Sequence, residues 1–260
     1  EIDFVVVQDP YLTPTARCAD IVLPVCTDLE RTDLVTSWGH DLHLFYSQQA
    51  TDALGEARTD FWILSQLAHR LGFGDAYTQQ KSEAEWLAEF LDNSALDRTA
   101  LQQEGIMRQD RDPRVALASF RADPIAHPLP TRSGKIEIDC PQATRHGLPT
   151  IPSYVEQTGD PEYPLQLLTP HSKLRSNSCL AAYHALQQLE PHRVWIHPRD
   201  AKPRDISQED LVCVYNERGT IRLRAKVTER IMPGVVCVYQ GAWYEPGTDG
   251  VDNGGCANVL

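Results

Sequence analysis

Between Thr220 and Thr228 the chain alternates with a period of two. Ile221, Leu223, Ala225 and Val227 are apolar, while Arg222, Arg224, Lys226 and Thr228 are charged or polar. That period does not suit a helix; it predicts a β-strand with one face buried and the other in water. The run follows Leu211 to Tyr215 across Asn216-Glu217-Arg218-Gly219, which predicts a hairpin with Gly at the bend. Pro233-Gly234 precedes a further apolar segment, Val235 to Tyr239. With Leu165 to Leu168 and Val194 to Ile196, these segments predict a compact β-barrel of several short strands.

The first hundred residues read differently. Phe4 to Val7 and Ile21 to Leu23 look like short buried strands, joined by a short polar crossover. Thr13 is placed to cap a helical turn that starts with Pro14, and the crossover is near the minimum for a parallel pair. A helix is expected from Asp60 through Leu71, with Phe61, Leu64, Leu67, Ala68 and Leu71 on one face. Thr59 would cap it and Gly72 would end it. Ser82-Glu83-Ala84-Glu85 reads as a capping box leading into Trp86, Leu87, Phe90 and Leu91. From about residue 101 to 163 prolines are frequent and the periodicity thins; Ser133-Gly134 looks like a turn before a short strand, Lys135 to Ile138. The expected organisation is therefore an α/β part over 1–100, a connecting segment with short β structure over 101–163, and the β part over 164–260.

Composition limits the function classes. Of 260 residues, 42% are apolar and 23% charged, as in soluble globular proteins. The net charge of −12, from 24 basic and 36 acidic residues, argues against nucleic-acid or anionic-membrane binding through bulk electrostatics. It leaves room for a local basic pocket. No apolar run approaches the roughly 20 residues that span a bilayer. The chain opens at Glu1 immediately before a strand and stops at Asn258-Val259-Leu260, so a piece of a longer chain is expected. None of the seven cysteines forms a C-x-x-C pair, and most fall in apolar strand-like runs, where a free thiol acts as a small hydrophobe.

The familiar catalytic signatures are missing: there is no G-x-S-x-G, P-loop, H-E-x-x-H or G-x-G-x-x-G. Polar loops at strand ends remain. Gln8-Asp9 stands at the carboxyl end of the first strand, where open α/β sheets place ligands. Glu30-Arg31 follows the second strand; Arg31 could hold a phosphate through its fork of donors, or sit in a surface ion pair. Asp60 opens its helix, where an acid often only balances the helix dipole. Its carboxylate can also accept two hydrogen bonds side by side, as a guanine edge offers. The densest loop is Thr169-Pro170-His171-Ser172-Lys173-Leu174-Arg175-Ser176-Asn177-Ser178, with hydroxyls, an amide, an imidazole and two cations behind an apolar strand. Its donors suit an anionic ligand with many acceptors, the alternative being a solvated surface loop. Trp243, in Gln240-Gly241-Ala242-Trp243-Tyr244, can be core or a stacking platform.

These segments together resemble the C-terminal part of the molybdopterin oxidoreductases of the dimethyl sulfoxide reductase family. The carrying motifs are Gln8-Asp9 with Thr13 to Ala16 and Ala19 to Pro24, then Gly55 to Asp60 and Ser133 to Ile138. They continue with Leu168 to Ser172, Asp200-Ala201, Pro233 to Val236 and Gly254 to Asn258. The stretches Gln240 to Tyr244 and Gly254 to Leu260 are most similar to the catalytic A subunits of the anaerobic, membrane-anchored members. The resemblance implies a fold of α/β plus β: the end of a Rossmann-like domain followed by a double-psi β-barrel, the molybdopterin dinucleotide-binding domain. It implies molybdenum-bis(molybdopterin guanine dinucleotide) as cofactor. Gln8, Asp9, Arg31 and Asp60 would contact the guanosine and phosphates of one dinucleotide. Thr169, Pro170, His171, Ser172, Lys173, Arg175, Ser176, Asn177 and Ser178 would contact the pterins, and Trp243 (or its neighbour Tyr244) and Asn258 would make the last contacts. Arg31 stands where some members have lysine. No catalytic residue and no metal ligand is expected in this piece; the molybdenum ligand and a [4Fe–4S] cluster would lie earlier in the full chain.

The implied activity is two-electron reduction of an S- or N-oxide within a respiratory complex. It would involve an iron–sulfur electron-transfer subunit and a membrane-anchor subunit, with no nucleic acid and no direct membrane insertion. The implied location is the periplasmic face of a bacterial inner membrane, reached through a twin-arginine signal upstream, with the cytoplasm as alternative. Formate, nitrate or another oxyanion as substrate, or a non-catalytic double-psi barrel module, are the competing readings.

Overall fold

The computed structural model describes residues 2–36, 42–94, 96–108, 112–113, 115–156 and 159–260. Two compact units divide the chain. One comprises Glu1–Val7, Tyr11–Val22 and Gln157–Leu260; the other comprises Gln8–Pro10 and Leu23–Glu156.

The chain begins with the expected strand–helix–strand step: β1 (Val6–Gln8), α1 (Pro14–Arg17) and β2 (Ile21–Leu23), with β1 and β2 paired in a two-stranded sheet. The strands are not buried as expected: Phe4, Val6, Ile21 and Val22 are exposed. Thr13 caps α1, its hydroxyl accepting from the Ala16 amide at 3.2 Å, and Pro14 supplies the first turn. Asp20 closes the step by accepting the Val5 N–H at 2.8 Å. The crossover stays short because a single capped turn reverses it.

In the second unit, β3 (Asp33–Thr36), β4 (His43–Ser47) and, further on, β5 (Ile106–Arg108) form an antiparallel sheet. Between them run α2 (Asp60–Arg70), α3 (Gly74–Thr78), α4 (Glu83–Asp92) and α5 (Arg98–Glu104), and α6 (Ala118–Ala122) follows. Thr59 caps α2 through the Trp62 amide, and Ser82 with Glu85 forms a complete capping box on α4. The apolar face expected on α2 is buried only in part. Ser65 and Ala68 are buried and Phe61 stacks on Tyr77 at 6.0 Å, whereas Leu67 and Leu71 stay exposed.

No strand forms over Lys135–Ile138, contrary to the sequence expectation. Local bonds take its place: Thr131 Oγ1 donates to the Lys135 carbonyl at 2.6 Å, and Glu137 accepts the Ser133 N–H at 2.7 Å. Ile136 and Ile138 are exposed, so nothing rewards an extended pairing.

The first unit carries β6 (Gln166–Leu168), α7 (His184–Leu189), β7 (Arg193–Ile196), α8 (Pro198–Ala201), β8 (Leu211–Tyr215), β9 (Thr220–Val227) and β10 (Val235–Cys237). Their order in one mixed sheet is β6-β10-β7-β9-β8. The hairpin β8–β9 pairs Leu211 with Arg224 and Tyr215 with Thr220, as the alternation requires. Ala225 is buried, and Ile221 and Leu223 form one buried cluster with Val194, Ile196, Val236, Val238 and Leu260. Each such side chain contributes roughly 1.5–3 kcal/mol through burial. All seven cysteines are free, but only Cys237 is buried in the expected way; Cys18, Cys140, Cys179 and Cys213 are exposed. On β8 the side chain of Cys213 lies opposite Arg222, on the solvated face of the alternation. No group of three or more metal-ligating side chains occurs among the described residues.

Asp252 ties the last segment to this sheet. It is 0% exposed, and its carboxylate accepts three backbone N–H groups: Glu245 at 2.7 Å, Gly254 at 3.0 Å and Cys256 at 2.6 Å. Its own backbone bonds Thr220 and Arg222. Asp252→Ala strands those donors in a dry site, so a loss of about 3 kcal/mol or more is expected in urea unfolding. A loss under about 1 kcal/mol would contradict this role.

Candidate functional site

The richest arrangement in the first unit is a cleft of about 560 Å³. Its floor and walls come from the Thr169–Ser178 loop behind β6, from the end of α7, from the Ala242–Gly254 segment and from Arg17 of α1. The loop is pinned at several points. Ser172 is buried, donates its hydroxyl to the Glu190 carboxylate and accepts the Leu174 N–H at 3.1 Å. The Gln240 amide lies 3.0 Å from the His171 ring and donates to Asn177 Oδ1 at 3.3 Å. Trp243 Nε1 donates to the Ser178 carbonyl at 3.1 Å, which fixes the indole on the cleft wall.

Two glycines permit these approaches. Gly241 has φ +89°, and a Cβ there would fall 1.8 Å from the Asn177 carbonyl oxygen. A Cβ on Gly254 would fall 1.9 Å from the Trp243 carbonyl oxygen. The polypeptide is packed backbone against backbone where the wall turns.

The cleft lining carries two cations, Arg17 and Arg175, and two acids, Glu190 and Glu245. Arg175 is half-buried, and burial pushes its guanidinium below the usual arginine range while Glu190 opposes that push. Arg17 pairs loosely with Glu245 at 3.6 Å. His192 Nε2 lies 2.9 Å from the Gly255 carbonyl; since a carbonyl only accepts, Nε2 carries the proton. Burial lowers the His192 pKa and keeps the ring neutral, leaving Nδ1 as a buried acceptor with no hydrogen-bond partner among the described residues. Arg17, Arg175 and Asn253 supply donors on the same lining as Trp243, while His184 gives its Nδ1 proton to Gln187 Oε1 at 3.2 Å. This donor set fits an anionic, ring-bearing ligand rich in acceptors.

Of the residues singled out by sequence, Ser172, Arg175 and Trp243 line the cleft. Thr169, Pro170, His171, Lys173, Ser176, Asn177 and Ser178 belong to the loop that frames it, several through the bonds just described. Asn258 is exposed on a short 3-10 turn, Ala257–Val259, outside the lining. Asn253, which lies with Asn258 beyond Gln240 to Tyr244 in the sequence reading, also lines the cleft, whereas Arg17, His184, Glu190, His192 and Glu245 were not singled out. Each is scattered in sequence, and none carries a local signal.

The second unit holds the other group. Gln8 Nε2 donates to Asp60 Oδ1 at 2.9 Å, joining the end of β1 to the start of α2. Asp9 donates its amide to the Leu23 carbonyl at 3.3 Å. Arg31 is gripped by Asp33 at 2.7 Å and Asp28 at 3.4 Å. Beside it, Glu30 accepts from the Thr27 amide, the Thr27 hydroxyl and the Leu54 amide, and these bonds hold its carboxyl below the usual range. Both readings of Arg31 keep a footing, since the ion pair also fixes the guanidinium.

Residues 165–260 match the family model of the molydopterin dinucleotide binding domain, and residues 1–70 match that of molybdopterin oxidoreductase. The first of these matches spans the β part that carries the cleft, and both models describe molybdopterin proteins. At its two ends the chain thus matches models of the molybdopterin oxidoreductases, a family whose cofactor is molybdenum-bis(molybdopterin guanine dinucleotide). It is 34% identical to dimethyl sulfoxide reductase DmsA of Haemophilus influenzae, across all of this chain and 36% of that protein. Against DmsA of Escherichia coli the identity is 36%, over 99% of this chain and 35% of that protein. Against the trimethylamine-N-oxide reductase of Haemophilus influenzae it is likewise 36%, over 99% and 35%. The chain therefore spans about a third of the length of these curated relatives. Acetylene hydratase from Pelobacter acetylenicus shares the fold, with a TM-score of 0.74 at 24% identity over 99% of this chain and 37% of that one.

The neutral His192 has a pH consequence. Its folded pKa lies below the ordinary 6.5, so the unfolded chain takes up the proton first as pH falls. The folded state should lose stability below about pH 6.5 and hold it above. Urea unfolding at pH 7.5 and at pH 5.5 should show a smaller drop in His192→Gln than in the unmodified chain. Equal drops would contradict the assignment.

Proposed function

We propose that this chain is the cofactor-binding part of the catalytic subunit of a molybdenum-dependent respiratory reductase of S- and N-oxides. The observation that carries the reading is the cleft in which Ser172, Arg175 and neutral His192 gather beside Trp243, on the loop that follows β6. The relatives whose names specify dimethyl sulfoxide and trimethylamine N-oxide reduction support the substrate class. On this reading Gln8, Asp9, Arg31 and Asp60 hold the guanosine and phosphates of one dinucleotide. Thr169, Pro170, His171, Ser172, Lys173, Arg175, Ser176, Asn177 and Ser178 close over the pterins, and Trp243 and Asn258 complete the contacts.

When bound, the cofactor supplies two-electron redox chemistry, so that an S- or N-oxide with two protons and two electrons gives the sulfide or amine and water. The work of this chain is placement. Arg175 and Arg17 offset negative charge, Asp60 reads the guanine edge while Gln8 fixes its carboxylate, and Trp243 screens the rings from water. The β part would close as a double-psi barrel around the Ile221, Leu223 and Val236 core. Electrons would arrive from an iron–sulfur subunit, and a separate subunit would anchor the complex at the periplasmic face of the inner membrane. No helix among the described residues is long and apolar enough to cross a membrane.

The test is the full-length subunit, purified anaerobically from a host that makes the cofactor. Molybdenum and acid-released GMP should both be present, and Asp60→Ala should lower them about tenfold, the effect of losing one charge-assisted pair. An unmodified subunit with neither would overturn the function. Full occupancy in the variant would remove Asp60 from the guanine site.

A further inference from the structure

The loop over the cleft has no regular secondary structure between β6 and α7, yet its residue Ser172 is only 7% exposed. Something outside the loop must hold it. Lys173 and Ser176 point to solvent and give no anchor. Gln240 holds His171 and Asn177 and Trp243 holds Ser178, but the buried Ser172 is held by Glu190, at the residue that terminates α7.

We infer that Glu190 is a positioning residue, which fixes the Ser172–Arg175 turn through the Ser172 hydroxyl and so sets where the Arg175 guanidinium stands in the cleft. Three observations meet on this residue. Its Oε2 accepts a hydrogen bond from the Ser172 hydroxyl, whose oxygen in turn accepts the Leu174 amide at 3.1 Å and locks the turn. Its charge also acts on Arg175 and on His192, two half-buried groups of the same cleft. Finally, the other acidic group on the cleft wall, Glu245, is engaged by Arg17, so it cannot substitute for Glu190. An acid inside an anion site is otherwise costly, because it repels the ligand that the cations attract. Its place here follows if it acts on the loop and not on the ligand.

The effect on the turn depends only on these contacts; the effect on cofactor retention rests on the function proposed above. Hydrogen exchange followed by mass spectrometry on the full-length subunit separates the two. In Glu190→Leu the segment 172–178 should exchange about tenfold faster while β7, β9 and β10 keep their protection. Glu190→Gln, which keeps an acceptor for Ser172, should restore slow exchange. Ser172→Ala should reproduce the loss, and combining it with Glu190→Leu should add nothing further. Molybdenum and GMP content should fall about tenfold in Glu190→Leu and recover in Glu190→Gln.

Unchanged exchange over 172–178 in Glu190→Leu would overturn the inference. So would equal loosening of the whole sheet, or a Glu190→Gln variant no better than Leu. If Glu190→Leu does not fold, the Ser172→Ala and Glu190→Gln pair decides by the same criteria. An unmodified subunit without molybdenum and GMP, combined with the local exchange pattern, would instead overturn the function and leave the positioning role standing.

Discussion

The first unit depends on one buried carboxylate. Asp252 accepts three backbone amides, while its own peptide groups bond Thr220 and Arg222 on β9. A charge removed from water is tolerated only when such bonds replace hydration. The three amides belong to Glu245, Gly254 and Cys256, so one side chain gathers a segment that has almost no regular structure. Glu245 and Gly254 line the cleft, and Gly255 gives the carbonyl that fixes the His192 tautomer. The wall of the cleft therefore inherits its shape from the strand on which Asp252 is registered.

The opposite wall is held by the same kind of contact. The Thr169–Ser178 loop leaves β6 without regular secondary structure, and Ser172, His171, Asn177 and Ser178 are each tied to a residue far away in sequence. The result concentrates Arg17, Arg175 and a neutral His192 in one cleft of a chain whose net charge is −12. Bulk charge of that sign opposes indiscriminate anion binding, and the cleft itself sets Glu190 and Glu245 beside its two arginines.

What could be read from the sequence was local. The strand over Thr220–Val227 and its hairpin follow from alternation, and the Thr13, Thr59 and Ser82 caps follow from side chains bonding amides two or three residues on. The Ser172 loop and Trp243 stood out by composition and position, and both fall on the cleft. What was not legible depends on long separations: Arg17 with Glu245, Ser172 with Glu190, and His192 with Gly255. Lys135–Ile138 fails as a strand because its alternation has no partner and no core to face. Gln8 and Asp60 were expected in one site on grounds of family likeness, and their hydrogen bond brings them together.

The cleft under the Ser172 loop is proposed to receive the dinucleotide cofactor. A crystal structure of the loaded full-length subunit, with the metal located by its anomalous scattering, tests it most directly. The expected result is cofactor density within hydrogen-bond distance of Arg175 and against the Trp243 ring. Density for the whole cofactor elsewhere, with the cleft filled only by water, would contradict the account.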